Sequence, residues 1–286
     1  MGLRKFFRSK KKLPLEKTVK VGNYELIANY EHPIEEYLTQ FPYYSRNFAR
    51  IAKYIEAKYP VYQIIDVGAN IGDSVALLRS AEVQQFVHLI EGDPTYTKLL
   101  AKNIPLFSNI KVYETFLGEE NKEQNIAIDN TRGTAHINIG AGDQQIKIVK
   151  LDHLVAENKI ENVKLLKTDT DGFDFKILRG AFNMIKNDQP VLFFEYDSVF
   201  LKQQNDDGLA IFEDFKGMGY NKIMYYDNFG KFLISTTLSD TNLLTQLFEY
   251  INKKESAFPY YDVVLFHEND LDLANEIIKE EMKFFS

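Results

Sequence analysis

Between residues 63 and 217, short apolar runs alternate with stretches of helical periodicity, and no other feature of the chain restricts its fold as much. The runs fall at 63–67, 86–90, 110–113, 163–166 and 191–194, with helical segments at 73–80, 94–103, 173–186 and 208–217. Runs apolar on both faces belong to strands covered on both sides, so the alternation predicts a doubly wound α/β sheet with helices on each face. Three further β segments, 124–129, 134–140 and 146–151, are expected on one edge of that sheet. Toward the C-terminus, 222–227 and 231–236 flank Asn228-Phe229-Gly230 as a hairpin, and 261–267 supplies another strand before a final amphipathic helix. Ahead of the alternation, 19–28 reads as a small hairpin around Gly22-Asn23, and Phe48, Ile51, Ala52 and Ile55 keep helical spacing before Pro60. The expected organisation is a basic tail over 1–18, an N-terminal extension over 19–60 and one domain over 61–286.

Composition removes several classes of chemistry. The 286 residues contain no cysteine, which excludes disulfides, thiolate metal sites and a cysteine nucleophile. The net charge is −7, yet Arg4, Lys5, Arg8, Lys10, Lys11 and Lys12 stand together at the start with no acid among them; without those six the remainder carries −13. A body so acidic argues against DNA or bulk RNA as a partner, because such binding rests on neutralising phosphates. The tail mixes Leu3, Phe6 and Phe7 with its cations. It reads either as a solubilising segment or as a peripheral contact of residues 1–12 with anionic lipid at the inner membrane face. Phe6 breaks the myristoylation pattern, no apolar run approaches a membrane span, and no secretory signal follows the basic start. A cytoplasmic protein is expected.

The chemistry concentrates in three junctions at one edge of the sheet. The first is Asp66-Val67-Gly68-Ala69-Asn70-Ile71-Gly72-Asp73-Ser74, a strand entering a glycine-bearing turn and then a helix. Glycines there allow close backbone approach to a ligand, and the helix N-terminus offers free N–H groups. The spacing is Gly68-x-x-x-Gly72, not the Gly-x-Gly-x-x-Gly that cradles a dinucleotide pyrophosphate, so a nucleoside cofactor fits better than NAD. A tight turn serving structure alone would show the same glycines. The second junction is Glu91-Gly92-Asp93, ending the next strand 25 positions after Asp66. An acid at that strand tip can accept hydrogen bonds from the ribose hydroxyls of an adenosine cofactor. The candidate cofactor residues are therefore Asp66, Gly68, Ala69, Asn70, Gly72, Asp73, Ser74, Glu91, Gly92 and Asp93.

The third junction, Lys167-Thr168-Asp169-Thr170-Asp171-Gly172-Phe173-Asp174, lies between the fourth run and its helix. Three readings stand side by side. Asp171 can be a helix N-cap with Asp174 a first-turn acid favoured by the helix dipole. A carboxylate here can take the proton from a hydroxyl that attacks a methyl group. Closely spaced carboxylates can also hold Mg²⁺ or Ca²⁺, although the calcium-loop pattern is absent and no metal site is assigned. Asp169, Asp171 and, from the next strand end, Glu195 are the candidate catalytic residues. His136 and His153 are further candidate bases, each explained as well by an ordinary structural or solvent-exposed histidine. Tyr37, Phe41, Tyr43 and Tyr44 offer either a stacking surface for a sugar ring or a cap on the core.

Together these residues resemble the FkbM family of S-adenosylmethionine-dependent methyltransferases. The resemblance runs over about residues 60–200. It is carried by Asp66 to Gly72, Glu91-Gly92-Asp93-Pro94, Leu151-Asp152, Lys167 to Gly172, Leu178-Arg179-Gly180-Ala181 and the strand from Pro190 to Glu195. It implies a Rossmann-like doubly wound sheet of class I methyltransferase type, mostly parallel with antiparallel C-terminal strands. It further implies S-adenosyl-L-methionine as cofactor and O-methylation of a hydroxyl on a glycan, sugar or glycosylated natural product. Where the family often has Glu, this chain has Asp171 and Asp174, each one methylene shorter. Two other functions share the fold: an NAD-linked oxidoreductase, and a non-catalytic scaffold in glycan assembly.

Overall fold

The apolar runs become strands because each places side chains alternately into two cores, one on either face of a single sheet. The computed structural model describes residues 15–131, 134–139, 144–253 and 255–286, and side chains outside 126–131, 134–139 and 144. Its strands are β1 (Glu16–Val21), β2 (Tyr24–Asn29), β3 (Gln63–Val67), β4 (Phe86–Glu91), β5 (Ile110–Glu114), β6 (Phe116–Leu117) and β7 (Lys122–Thr131). They continue with β8 (Thr134–Ile139), β9 (Gln144–Val149), β10 (Val163–Thr168), β11 (Val191–Asp197), β12 (Tyr220–Asp227), β13 (Phe232–Thr237) and β14 (Tyr260–His267). In β11 the alternation is visible residue by residue: Phe193 enters the core with Ile64, Leu89 and Phe48, while Leu192 and Phe194 enter the opposite core with Ile65, Leu166 and Phe175.

The main sheet runs in the order β13-β12-β14-β11-β10-β3-β4-β5. The five strands from β11 to β5 pair in parallel, and β14, β12 and β13 add antiparallel pairs. This is the mostly parallel α/β sheet with antiparallel C-terminal strands that the sequence predicts. From β3 the chain steps outward to β4 and β5, then returns to place β10 on the other side of β3. Open α/β sheets form their ligand crevice at such a reversal, beyond the carboxyl ends of the strands.

Three local expectations are corrected. The segments between β5 and β10 do not extend the main sheet; β6, β9, β7 and β8 form a separate four-stranded sheet in that order. Leu151-Asp152 ends no strand but opens the helix Leu151–Asn158. There Asp152 turns its carboxylate onto the backbone N–H groups of Asn183 and Met184, at 3.1 and 2.9 Å. The single helix expected over 173–186 is two, Asp174–Arg179 and Phe182–Asp188. The break falls at Gly180, where a Cβ would lie 2.2 Å from the carbonyl oxygen of Gly118, so only glycine lets these backbones meet.

The N-terminal extension packs into the body rather than standing apart. Val19, Val21, Leu26 and Ala28 of its hairpin are buried in the same core as Phe48, Ile51, Ala52 and Ile55 of the helix Arg46–Lys58. That helix is tied to the C-terminal helix Leu271–Phe284 by Arg50, which donates from Nε and Nη2 to the fully buried carboxylate of Glu281, both at 2.8 Å. Among the described residues no helix is long and apolar enough to cross a membrane. The basic cluster of residues 1–12 lies outside the described residues.

Candidate functional site

A cleft opens at the reversal between β3 and β10, and its floor is set by the turn after β3. Gly68 has φ +82°, and a Cβ there would lie 2.0 Å from the carbonyl oxygen of Asp169. The two loops thus pass at a distance that only a glycine permits. Backbone hydrogen bonds lock the arrangement: Gly68 N and Ala69 N donate to Ile90 O at 3.0 and 3.1 Å, and Asp169 N donates to Val67 O at 3.1 Å. The tips of β3, β4 and β10 therefore form one rigid platform.

Of the cofactor residues expected from sequence, Gly68, Asn70, Asp73, Ser74, Glu91, Gly92 and Asp93 line this cleft, while Asp66, Ala69 and Gly72 are buried and do not line it. Glu91 accepts from Asn70 N through one oxygen and from Asp93 N through the other, both at 2.8 Å. Burial pushes its carboxyl up to about 7 against the pull of those backbone donors. Asp93 also caps the helix Pro94–Asn103, accepting from Thr95 N at 2.6 Å. Ile90, Phe116, Leu117, Ile146 and Ile148 give one side of the cleft an apolar wall. The last four come from β6 and β9 of the small sheet.

The acids expected to be catalytic divide by position. Asp169 and Asp171 line the cleft; Asp174 is buried below it, and Glu195 is buried in β11 and does not line it. Asp171 is no N-cap: it has φ +50°, and the helix begins at Asp174 after Phe173. Burial, then the charges of Asp169 and Asp174, push Asp171 up to about 8, and burial raises Asp174 to about 6. Glu195 is raised well above the usual carboxylate range by burial and by Asp169, Asp171 and Asp174. Its neighbour across the antiparallel pair, Asp262, is raised to about 7 by burial while accepting from the Asn47 amide at 2.6 Å.

The balancing cation is Lys167, which the sequence reading did not single out. It sits opposite Asp66 in the β10–β3 register, with Nζ 3.0 Å from Asp66 Oδ1 and 3.3 Å from Asp169 Oδ2. Burial opposes its charge, but Asp66, Asp169 and Asp73 outweigh burial and push its pKa up. The available signal was a lysine following the apolar pair Leu165-Leu166, two residues before Asp169. Asp66, expected to touch a cofactor, is instead the fully buried partner of this ammonium.

The outer wall comes from the extension, through His32, Pro33, Ile34, Tyr37, Tyr44 and Ser45. His32 Nδ1 accepts from Ile34 N at 3.2 Å, so the neutral ring carries its proton on Nε2, which faces Asn70 Oδ1 at 3.2 Å. Burial lowers its pKa. His153 is exposed on the helix Leu151–Asn158, away from the cleft, and the side chain of His136 lies outside the described residues. The tyrosine-rich cluster splits. Tyr37 and Tyr44 line the cleft with ring centroids 5.1 Å apart, Phe41 stacks on Phe229, and Tyr43 packs on Phe284 and Phe285. Among the described residues no three His, Asp or Glu side chains converge as metal ligands.

Comparison with known proteins adds a family. The model of the Methyltransferase FkbM domain matches residues 66–222, more than half of the chain. A solved structure of Methyltransferase FkbM from Methylobacillus flagellatus KT is 20% identical, with a TM-score of 0.35 over 48% of this chain and 33% of that one. The chain thus spans about a third of that structure's length. Precorrin-6y C5,15-methyltransferase from Geobacter metallireducens GS-15 is 11% identical, covering 73% of this chain and 81% of that one at a TM-score of 0.39. An rRNA methylase from Streptococcus thermophilus is 13% identical, covering 84% and 99% at 0.41. No curated protein matches the chain.

Proposed function

Since the chain belongs to the FkbM methyltransferase family, we propose that it is an S-adenosyl-L-methionine-dependent O-methyltransferase acting on a hydroxyl of a glycan, sugar or glycosylated natural product. One observation carries this reading: the Gly68 turn, the Glu91 carboxylate and the acids Asp169 and Asp171 open into a single cleft at the sheet's reversal point. The residues fit an adenosyl group. Glu91 would accept from ribose hydroxyls, and the wall of Ile90, Phe116, Leu117 and Ile148 would take a flat apolar base. Asp73 and Ser74 open the following helix, whose N-terminal N–H groups would face a polar part of the ligand.

When bound, the cofactor supplies a methyl group already activated on a sulfonium. The protein's own task is alignment and the handling of one proton. Asp169 would take it; its place in the cleft lining, its 55% exposed side chain and its contact with the Lys167 ammonium support that role. Asp171, raised to about 8, holds its proton at neutral pH and can donate a hydrogen bond to an acceptor oxygen. Glu195 supports the acid cluster from below. Tyr37 and Tyr44 would face the acceptor. The acidic body and the cysteine-free composition suit a cytoplasmic enzyme with a neutral acceptor, brought by its basic tail to the inner membrane face.

Calorimetric titration with S-adenosylmethionine tests the reading directly. Wild type should bind, and Glu91→Ala should weaken binding by roughly 10- to 100-fold, the worth of lost charge-assisted hydrogen bonds. Absence of binding, or occupancy of the purified protein by a nicotinamide cofactor, would reject it. Glycans of a deletion strain should lose 14 Da per missing methyl group; unaltered glycans would remove the acceptor class. Full turnover in EDTA would separate proton transfer by the aspartates from any metal role.

A further inference from the structure

We propose that Lys167 is a positioning residue for the proton acceptor: anchored on Asp66, its ammonium holds the Asp169 carboxylate at the mouth of the cleft, an inference that rests on the reading of the site given above. Exposure grades along the three groups. The Asp66 side chain is fully buried, that of Lys167 is 6% exposed and that of Asp169 is 55% exposed. A solvent-open aspartate on a loop would ordinarily sample several rotamers, and here one of its oxygens lies 3.3 Å from a buried cation. Lys167 is held in turn by Asp66, 3.0 Å away at the paired position on β3, with the Phe48 ring of the extension 6.0 Å from Nζ.

Stability alone does not explain such a group. A buried ion pair contributes little over a well-packed apolar pair, so a lysine in the middle of a parallel sheet points to a role other than holding the strands together. Among the described residues that line the cleft, Lys167 is the only lysine or arginine. Among the described residues, the groups whose charge interacts with Asp169 are otherwise acids or phenols: Asp66 of β3 and Asp73 after it, Asp171 on its own loop, Asp174 at the start of the following helix, Glu195 of β11, Asp262 and Tyr260 of β14, and Tyr44 of the extension; His32 stands on the outer wall of the cleft. Without the ammonium, like charges would drive the Asp169 carboxylate outward.

Lys167→Met alone leaves Asp66 buried and unpaired and risks unfolding, so the informative variant is Asp66→Asn with Lys167→Met, which removes both charges together. Measured on the undermethylated glycan of a deletion strain, the double variant should lose about 30-fold or more in kcat while its calorimetric affinity for S-adenosylmethionine stays within about 2-fold. The loss should vanish in an Asp169→Asn background, because a positioning residue acts only through the group it positions. A full additional loss in that background, or a change confined to cofactor affinity, would overturn the proposal; the second outcome would make Lys167 a direct ligand of the cofactor. A contact test needs no activity: in full-length protein labelled with ¹⁵N-lysine, the Lys167 Nζ signal should shift on Asp169→Asn. An unmoved signal overturns the positioning role. A shifted signal in a protein that transfers no methyl group upholds the contact and rejects the functional reading instead.

Discussion

The two sides of the cleft are built on different terms. The inner side, formed by the tips of β3, β4 and β10, consists of contiguous motifs whose backbones hydrogen-bond to one another. The outer side is assembled from residues 32–45 of the extension and from β6 and β9 of the small sheet. The family match begins at residue 66, so the extension's share of the wall lies wholly outside it.

The largest effect expected falls on the inner side. Gly68→Val forces a side chain at φ +82° into the Asp169 carbonyl, and should destabilise the fold by about 3 kcal/mol and abolish cofactor binding. Thermal melting and calorimetry check both, and near-normal binding would show that the platform is soft. Next, Asp169→Asn should lower kcat by ~10²-fold with cofactor affinity retained, whereas Tyr44→Phe on the outer side should change kcat by no more than about 3-fold. Equal losses would erase the distinction between the two walls.

A smaller effect concerns pH. Burial raises Glu91 to about 7, so near neutrality a large fraction of the protein carries the neutral acid, a poorer acceptor for hydroxyl donors. Affinity for S-adenosylmethionine should therefore tighten by up to about 10-fold between pH 6 and pH 8, and the dependence should be lost in Glu91→Gln. The smallest effect belongs to the outer side. Because burial depresses His32 below its ordinary value of 6.5, the unfolded chain takes up a proton first as pH falls. Stability from this site is thus whole above pH 6.5 and declines as pH drops through the folded-state pKa. His32→Gln should flatten that decline and shift cofactor affinity only a few-fold, through its contact with Asn70. A decline of the same slope in the variant would place the sensitivity elsewhere.

Much of the inner side was legible because local rules write it into neighbouring residues. Gly68, Glu91 and Asp169 each stand at a strand end, where periodicity stops and turn chemistry begins, and the parallel pairing of the central strands follows from their alternation with helices. Burial was not legible. Asp66, Asp169, Asp171, Asp174 and Glu195 look alike as letters; pairing in the sheet makes the first an anchor for Lys167, the second a cleft residue and the last a buried acid. The helix at Leu151 was hidden for a related reason, since Asp152 finds its partners 31 and 32 residues away.

The amino-acid sequence by itself determined the alternating α/β order, the glycine turn and the acids at the strand tips, because those depend on backbone preference and on neighbours within a few residues. Only the tertiary structure decided that Lys167 reaches both Asp66 and Asp169, that His32 meets Asn70, and that a detached sheet completes the apolar wall. Those contacts join residues far apart in the chain, and their energies depend on burial and distance, which exist only once the strands have paired.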